Sequence, residues 1–291
     1  VLMRKYSAEG VAEELERHRA TLAHLAPLMV QELVAEQRAH PRDHTALRLV
    51  QYASGPMPLE PLRRALKTYG PIFMQVYGMT ETGLGTILHP HDHRPDGTPA
   101  EQQRLQSAGQ PSLHFAIRIV GEDGRDLPAG EMGEILIGGP CLMQGYWRQD
   151  RVSARTIRDG WMHTGDIGSL DGEGFLTIRD RKKDIIISGG ENIFPRDVEE
   201  ALYRHEDVAE AAVIGVPDER WGEAVKAVVV LRSGATMDEA GLIAFCRQHI
   251  ASYKKPKSID FVAELPRLPN KKIDKKKLRE PFWAGRARNV N

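Results

Sequence analysis

Between residues 1 and 80, apolar positions at helical spacing alternate with short apolar runs. Ser7 stands ahead of Val11 and Leu15, four apart, where it can cap a helix. TLAHLAP and LRLVQYASG read as buried strands around a second helical stretch. PLEPLRRALKTYG predicts a helix closed by Gly70, and IFMQVYG the next strand. This rhythm implies part of a parallel sheet with helices on its faces. From about Phe115 the texture changes to short alternating strands split by Gly/Asp turns, in FAIRIV, GEILIGG and GFLTIRD, which predicts an antiparallel, barrel-like subdomain. A third texture follows the charged stretch RDRKKD. Pro195 fits the first turn of a helix bearing Val198, Ala201 and Leu202, and AEAAVIGV, AVKAVVVL and SIDFVAEL read as strands. Thr236 and Glu239 are expected to form a capping box for a helix through Phe245. The fold class is therefore α/β plus α+β, with RDRKKD as the linker to a small α+β domain.

Composition narrows the function classes. Forty basic and forty acidic residues give a formal net charge of +0, so the lysine-rich stretch LPRLPNKKIDKKK is a local feature and not part of a polyanion-binding field. The two cysteines, Cys141 and Cys246, are far apart and outside any metal-ligand spacing; both are expected to be buried thiols in a reducing, cytoplasmic setting. No apolar run is long enough for a membrane span, which argues for a protein without a transmembrane segment. HPHDH, His89 to His93, offers three histidines and an aspartate, but its spacings suit no common zinc pattern, and a solvated loop is expected.

Two short stretches carry chemistry. YGMTE, Tyr77 to Glu81, ends an apolar strand with a ring, a hydroxyl and a carboxylate at the edge where open α/β sheets bind ligands. A ring can stack on a base, a hydroxyl can bond a phosphate oxygen, and a carboxylate is a hard ligand for nucleotide Mg²⁺. Taken alone, the pentapeptide reads as a strand-ending turn with Thr80 as cap and Glu81 solvated. In WMHTGDIG, Asp166 sits in a glycine-flanked turn and could accept two hydrogen bonds from a ribose diol.

Order and spacing make these pieces specific. SGPMPL (Ser54–Leu59), QVYGMTE (Gln75–Glu81), GEILIGGPCLMQGYW (Gly133–Trp147), DGWMHTGDIG (Asp159–Gly168), DRKKDIIISGGENIFPRDVE (Asp180–Glu199), ERWGEAVKAVVV (Glu219–Val230) and PNKKID (Pro269–Asp274) follow one another along nearly the whole chain. In this order they resemble the adenylate-forming, AMP-binding acyl-CoA synthetase superfamily, and within it bacterial fatty-acyl-CoA ligases. The resemblance implies that residues 1–180 are the C-terminal part of a large AMP-binding domain, with an α/β portion at 1–112 and a β-rich portion at 113–180. Residues 181–291 would be the small, mobile C-terminal domain.

Carried over residue by residue, the resemblance implies that Gly55, Pro56 and Met57 border the adenine together with Gln75, Val76, Tyr77, Gly78 and Met79, with Tyr77 as the stacking ring. Thr80 would touch the phosphates and Glu81 would hold Mg²⁺. Asp166 and Arg181 would bind the ribose hydroxyls, and Lys183 would be the pivot of the small domain. Ser188, Gly189, Gly190 and Glu191 would line the passage for the pantetheine arm of CoA, with Trp221, Tyr253, Lys255 and Lys257 on its adenine and phosphates. Lys272 would reach the α-phosphate during adenylation. The family has glycine where Lys271 stands, and Ile273-Asp274 sets the register in favour of Lys272; the other lysines of that stretch are expected to be solvated.

The implied activity is ATP-dependent conversion of a carboxylic acid, of fatty-acyl type, and CoA into acyl-CoA, AMP and pyrophosphate through acyl-AMP. ATP, Mg²⁺ and CoA are the implied cofactor and co-substrates, with no nucleic-acid partner; a homodimer stays open. The Ser/Thr/Gly-rich phosphate loop of the family is not found in the sequence, so this chain alone is expected to have little adenylation activity. Two alternatives stay in view: loading of a carrier protein, and a non-catalytic nucleotide-sensing or interaction role.

Overall fold

A computed structural model describes residues 1–268 and 272–285. The first sheet is five-stranded, in the order β1 (Leu22–Leu25), β2 (Leu49–Tyr52), β3 (Phe73–Met79), β4 (Gly83–Leu88) and β5 (Gln110–Pro111). β1, β2 and β3 run parallel, and β4 and β5 continue the sheet antiparallel. Helix α1 (Ala8–Arg17) precedes β1, α2 (Pro27–Ala39) and α3 (Leu59–Tyr69) supply the connections that the parallel strands require, and a short α4 (Pro99–Arg104) precedes β5. Ser7 caps α1 by accepting the Gly10 N–H at 3.2 Å, and Gly70, at φ 77°, closes α3. Leu33, Tyr52, Leu62 and Phe73 form the centre of this core.

The second sheet runs β10 (Leu176–Arg181), β9 (Trp161–Leu170), β7 (Gly133–Gly138) and β6 (Ala116–Val120), with β8 (Ile157–Arg158) paired to β9; α5 (Asp150–Thr156) lies before β8. It is the antiparallel, half-barrel layer that the alternating pattern predicts, with Ile135, Ile137 and Leu176 fully buried in its core.

The third sheet holds β12 (Glu191–Ile193), β11 (Ile186–Ser188), β14 (Gly222–Leu231) and β13 (Val208–Asp218), with β15 (Ser258–Phe261) parallel to β14. Its long central strands are apolar on both faces, for a reason visible in their period of two. Val225, Ala227 and Val229 pack with α6 (Pro195–Tyr203) and α7 (Glu239–His249). Ala212 and Val228 point the other way, against Leu265, Ile273 and Leu278, the last of these on α8 (Lys275–Trp283). Leu265 and Ile273, both within the lysine-rich stretch, thus help cover the second face. The chain divides into two compact units, Val1–Thr164 with Gly168–Ile178, and Gly165–Ile167 with Arg179–Asn291.

Several expectations are corrected. α7 is capped by Asp238, which accepts the Gly241 N–H at 2.7 Å, rather than by Thr236; Glu239 is turned to the Ile259 N–H at 2.9 Å. A carboxylate one residue before the first turn reaches its free N–H groups better than a hydroxyl further out. Cys246 is buried as expected, and burial pushes its thiol pKa up to about 11, but Cys141 is exposed on the loop after β7. His93 is 1% exposed rather than part of a solvated loop. Lys275 is not solvated: it pairs with Glu199 at 2.8 Å. No helix among the described residues is long and apolar enough to cross a membrane.

Candidate functional site

In the larger unit, β2 ends at Tyr52, which lies opposite Gln75 in the parallel register, while β3 continues to Met79. The loop carrying Gly55, Pro56 and Met57 and the stretch Gln75–Met79 therefore leave neighbouring strands at their carboxyl ends, where α/β sheets take ligands. Ser54 turns the loop with φ 75°, and Met57 is buried beneath it. Tyr52 holds Gln75 by a side-chain hydrogen bond of 3.2 Å.

The turn from β3 to β4 is set by Gly78 and Thr82. A Cβ on Gly78 would stand 1.9 Å from the Gly83 carbonyl oxygen, so no larger residue fits there. The turn is capped by the buried Thr82, whose hydroxyl accepts the Met79 N–H at 3.1 Å, and not by Thr80, which is exposed. Glu81 is not merely solvated: its carboxylate accepts the Tyr146 hydroxyl at 2.8 Å, and its backbone carbonyl accepts the Met143 N–H at 2.8 Å. The hydrogen bond to this carboxylate raises the Tyr146 pKa. Tyr146 was not singled out by the sequence reading, although it stands inside GEILIGGPCLMQGYW. Among the described residues no three His, Cys, Asp or Glu side chains are grouped to hold a metal, HPHDH included. A lone carboxylate such as Glu81 still suits Mg²⁺, which commonly takes one or two protein carboxylates and completes its shell with phosphates and water.

In the smaller unit Asp166, 5% exposed, lies 3.3 Å from the Arg181 guanidinium. Lys272 senses both: burial and the neighbouring Arg181 charge lower its pKa, and Asp166 partly opposes them. The structure thus gathers three residues that lie far apart in sequence. Lys272 is held in register on both sides. Leu268 N–H bonds its carbonyl at 2.8 Å, Ile273 is packed against the sheet, and Asp274 caps α8 through the Lys277 N–H at 3.1 Å. Lys271 lies outside the described residues. Lys183 sits in the single turn that follows β10, and its neighbour Asp184 pairs with Arg279 at 2.6 Å.

SGGEN forms the β11–β12 hairpin, with Ser188 paired to Glu191. Gly189 and Gly190 take φ 61° and 87°, the left-handed pair that a two-residue hairpin turn requires. A Cβ on Gly189 would come within 2.6 Å of the Trp221 ring, whose carbonyl in turn accepts the Gly189 N–H at 2.8 Å. Lys257 lies 5.5 Å from the same ring and pairs with Asp218 at 2.9 Å. The structure therefore joins Gly189, Trp221 and Lys257 in one cluster. Tyr253 is exposed and carries Lys254 at 5.8 Å above its ring, while Lys255 is half-buried beside it in sequence.

The α/β sheet and the half-barrel layer are the fold of adenylate-forming enzymes. The AMP-binding enzyme profile matches residues 1–147 and the AMP-binding enzyme C-terminal domain profile matches residues 197–272; the chain belongs to the AMP-binding enzyme family. It is 39% identical over 298 residues to the medium/long-chain-fatty-acid–CoA ligase FadD8 of Mycobacterium tuberculosis, covering 100% of this chain and 51% of the relative. It is similar in structure to the amide bond synthetase McbA from Marinactinospora thermotolerans, with TM-score 0.90, 37% identity and coverage of 97% of this chain and 56% of that one. It also resembles the o-succinylbenzoate CoA synthetase MenE from Bacillus subtilis in complex with ATP and magnesium ion, with TM-score 0.82, 33% identity and coverage of 96% and 55%. The chain spans about half the length of the relatives it matches.

Proposed function

We propose that the full-length protein is an ATP-dependent acyl-CoA synthetase acting on fatty acids. The observation that carries this reading is the grouping of Asp166, Arg181 and Lys272, because a binding module needs no second cation beside an Asp–Arg pair that takes ribose hydroxyls. In the first half-reaction a carboxylate oxygen attacks the α-phosphorus of ATP, the bond to pyrophosphate breaks, and acyl-AMP forms. In the second, the CoA thiol loses its proton and attacks the acyl carbonyl; the C–S bond forms as the C–O bond to AMP breaks.

In the larger unit, Gly55, Pro56, Met57 and Gln75 to Met79 would border the adenine, with Tyr77 stacked on it, and Thr80 would bond a phosphate oxygen. Glu81, oriented by Tyr146, would hold Mg²⁺, which when bound offsets phosphate charge. In the smaller unit, Asp166 and Arg181 would take the ribose hydroxyls and Lys272 would stabilise charge at the α-phosphate. Lys183 is the proposed pivot. Gly189, Gly190, Ser188 and Glu191 would admit the pantetheine arm, with Trp221, Lys257, Tyr253 and Lys255 on the remainder of CoA.

The test separates the half-reactions. Lys272→Ala should lower acyl-AMP formation from fatty acid and ATP by about a hundredfold or more, the range seen when one transition-state donor is removed. Thioester formation from pre-made acyl-AMP should change far less, and Lys271→Ala should affect neither. Equal loss in both halves would overturn the assignment. A second reading, favoured by the likeness to McbA, passes the acyl group to an amine; AMP release from acyl-AMP that depends on an amine and not on CoA would select it.

A further inference from the structure

His93 lies behind Gln75, in a stretch whose other histidines, His89 and His91, stack on each other at the surface with ring centroids 5.4 Å apart. Three contacts in the larger unit define its surroundings. His93 Nδ1 is 2.8 Å from the His89 carbonyl oxygen, His93 Nε2 is 3.0 Å from the Tyr52 hydroxyl, and that hydroxyl is 3.2 Å from Gln75 Oε1. Tyr52 and His93 are 0% and 1% exposed, and their rings meet edge to face at 74°.

Proton counting decides the direction of this chain. A carbonyl oxygen only accepts, so His93 Nδ1 must carry a hydrogen. Burial holds the imidazole neutral, with its pKa pushed down to about 4, so Nε2 is left as an acceptor. Tyr52 has one hydroxyl proton, and the 3.0 Å contact to Nε2 takes it. What the tyrosine oxygen then turns towards Gln75 is a lone pair. The amide group of glutamine has two ends of nearly equal outline, and only its NH₂ end can satisfy that lone pair, so the proton count turns the amide over, with Nε2 in the place of Oε1 at Tyr52. The opposite direction would need either a buried imidazolium or two lone pairs facing each other at 2.8 Å.

We propose that His93 is a positioning residue which, through Tyr52, fixes the Gln75 amide with its NH₂ towards Tyr52 and its carbonyl oxygen outwards, as an acceptor for the 6-amino group of a purine. The last step rests on the proposed role of Gln75 beside the adenine. An outward carbonyl attracts a 6-amino purine and repels a 6-oxo purine, so the buried pair would set base selectivity without touching the nucleotide.

Two measurements test it. In the full-length protein at neutral pH, ¹⁵N NMR of His93 should show a protonated Nδ1 and an unprotonated Nε2; a protonated Nε2 would overturn the relay whatever the nucleotide does. Binding of AMP and of inosine 5′-monophosphate should then be compared in wild type, Tyr52→Phe, His93→Leu and His93→Gln. The preference for AMP should fall by about tenfold in the first two variants, the worth of one oriented hydrogen bond, and be partly restored in His93→Gln, which keeps an acceptor. If both nucleotides weaken equally, with the ratio unchanged, the pair is only packing and the proposal fails. If wild type binds neither nucleotide, the proposed function fails, and the tautomer still decides the relay.

Discussion

The Asp166 carboxylate lies 3.3 Å from the Arg181 guanidinium, at the point where β9 and the end of β10 contribute to the smaller unit. The pair is unequal: Asp166 is nearly covered and Arg181 half exposed, with side-chain exposures of 7% and 51%. The guanidinium covers one side of the carboxylate while leaving its own other face to solvent.

Lys272 reports on both charges, and its titration gives the first prediction. Burial and Arg181 lower its pKa and Asp166 raises it, so Asp166→Asn should lower it further and Arg181→Gln should raise it, as read by ¹³C NMR of the ε-carbon. The sign for stability follows. Below its folded-state pKa the ammonium is held at a cost, because the unfolded chain keeps the ordinary lysine value. That cost is relieved as pH rises from the lowered value towards 10.5, so this group makes stability rise with pH in that window. A flat response of Lys272 to both variants would refute the arrangement.

The second prediction separates lysines that look alike in sequence. Lys275 pairs with Glu199 at 2.8 Å, with side-chain exposures of 19% and 13%. Burial pulls its pKa down, but the charges of Glu199 and Asp180 outweigh this and the net direction is up. Glu199 also accepts the Val213 N–H at 2.8 Å. Lys275→Ala should destabilise the smaller unit by about 3 kcal/mol, the cost of leaving one member of a buried pair alone. Lys276→Ala and Lys277→Ala, at exposed positions, should stay within about 0.5 kcal/mol. Chemical denaturation of the three variants checks the order.

This contrast marks what the sequence makes legible. Strands β1 to β3 and the two central strands of the third sheet announce themselves because burial requires an apolar run or a period of two, and both are local patterns. Gly70, Ser7 and Pro195 act within a turn of their helices and are equally readable. The hydroxyl of Tyr146 on Glu81, 65 residues away, and the pairing of Lys275 with Glu199 depend on which strands become neighbours, and no local spacing encodes that. The burial of His93 has the same origin: its loop is polar in composition, yet β2 supplies Tyr52 beneath it. Motif order carried the candidate residues, while their partners came from the fold.

Gly189 and Gly190 give the third prediction, because the two differ in a single respect. Both need the left-handed conformation, which costs an ordinary residue about 1–2 kcal/mol. A Cβ at Gly190 would meet nothing within 4 Å, whereas at Gly189 it would lie 2.6 Å from Trp221. Gly189→Ala should therefore lower the thermal midpoint more than Gly190→Ala. It should also change the near-ultraviolet signal or fluorescence of Trp221, which Gly190→Ala leaves in place. Equal effects of the two substitutions would mean that the indole yields freely.

The last prediction concerns Tyr146 and Glu81. Their hydrogen bond, at 2.8 Å, fixes one carboxylate oxygen and thereby the direction of the other, and it raises the Tyr146 pKa. Tyr146→Phe keeps the ring and removes only the donor. If Glu81 holds Mg²⁺, losing that support should raise the Mg²⁺ concentration for half-maximal acyl-AMP formation by about tenfold, the lower end of the effect of deleting a group that orients a metal ligand. The thioester step from pre-made acyl-AMP, which has no pyrophosphate to release, should be nearly unchanged. The discriminating result is the Mg²⁺ dependence: a fall in rate at every Mg²⁺ concentration with no shift in midpoint would mean that Tyr146 supports the β3–β4 turn alone and that Glu81 is not oriented for the metal by this contact.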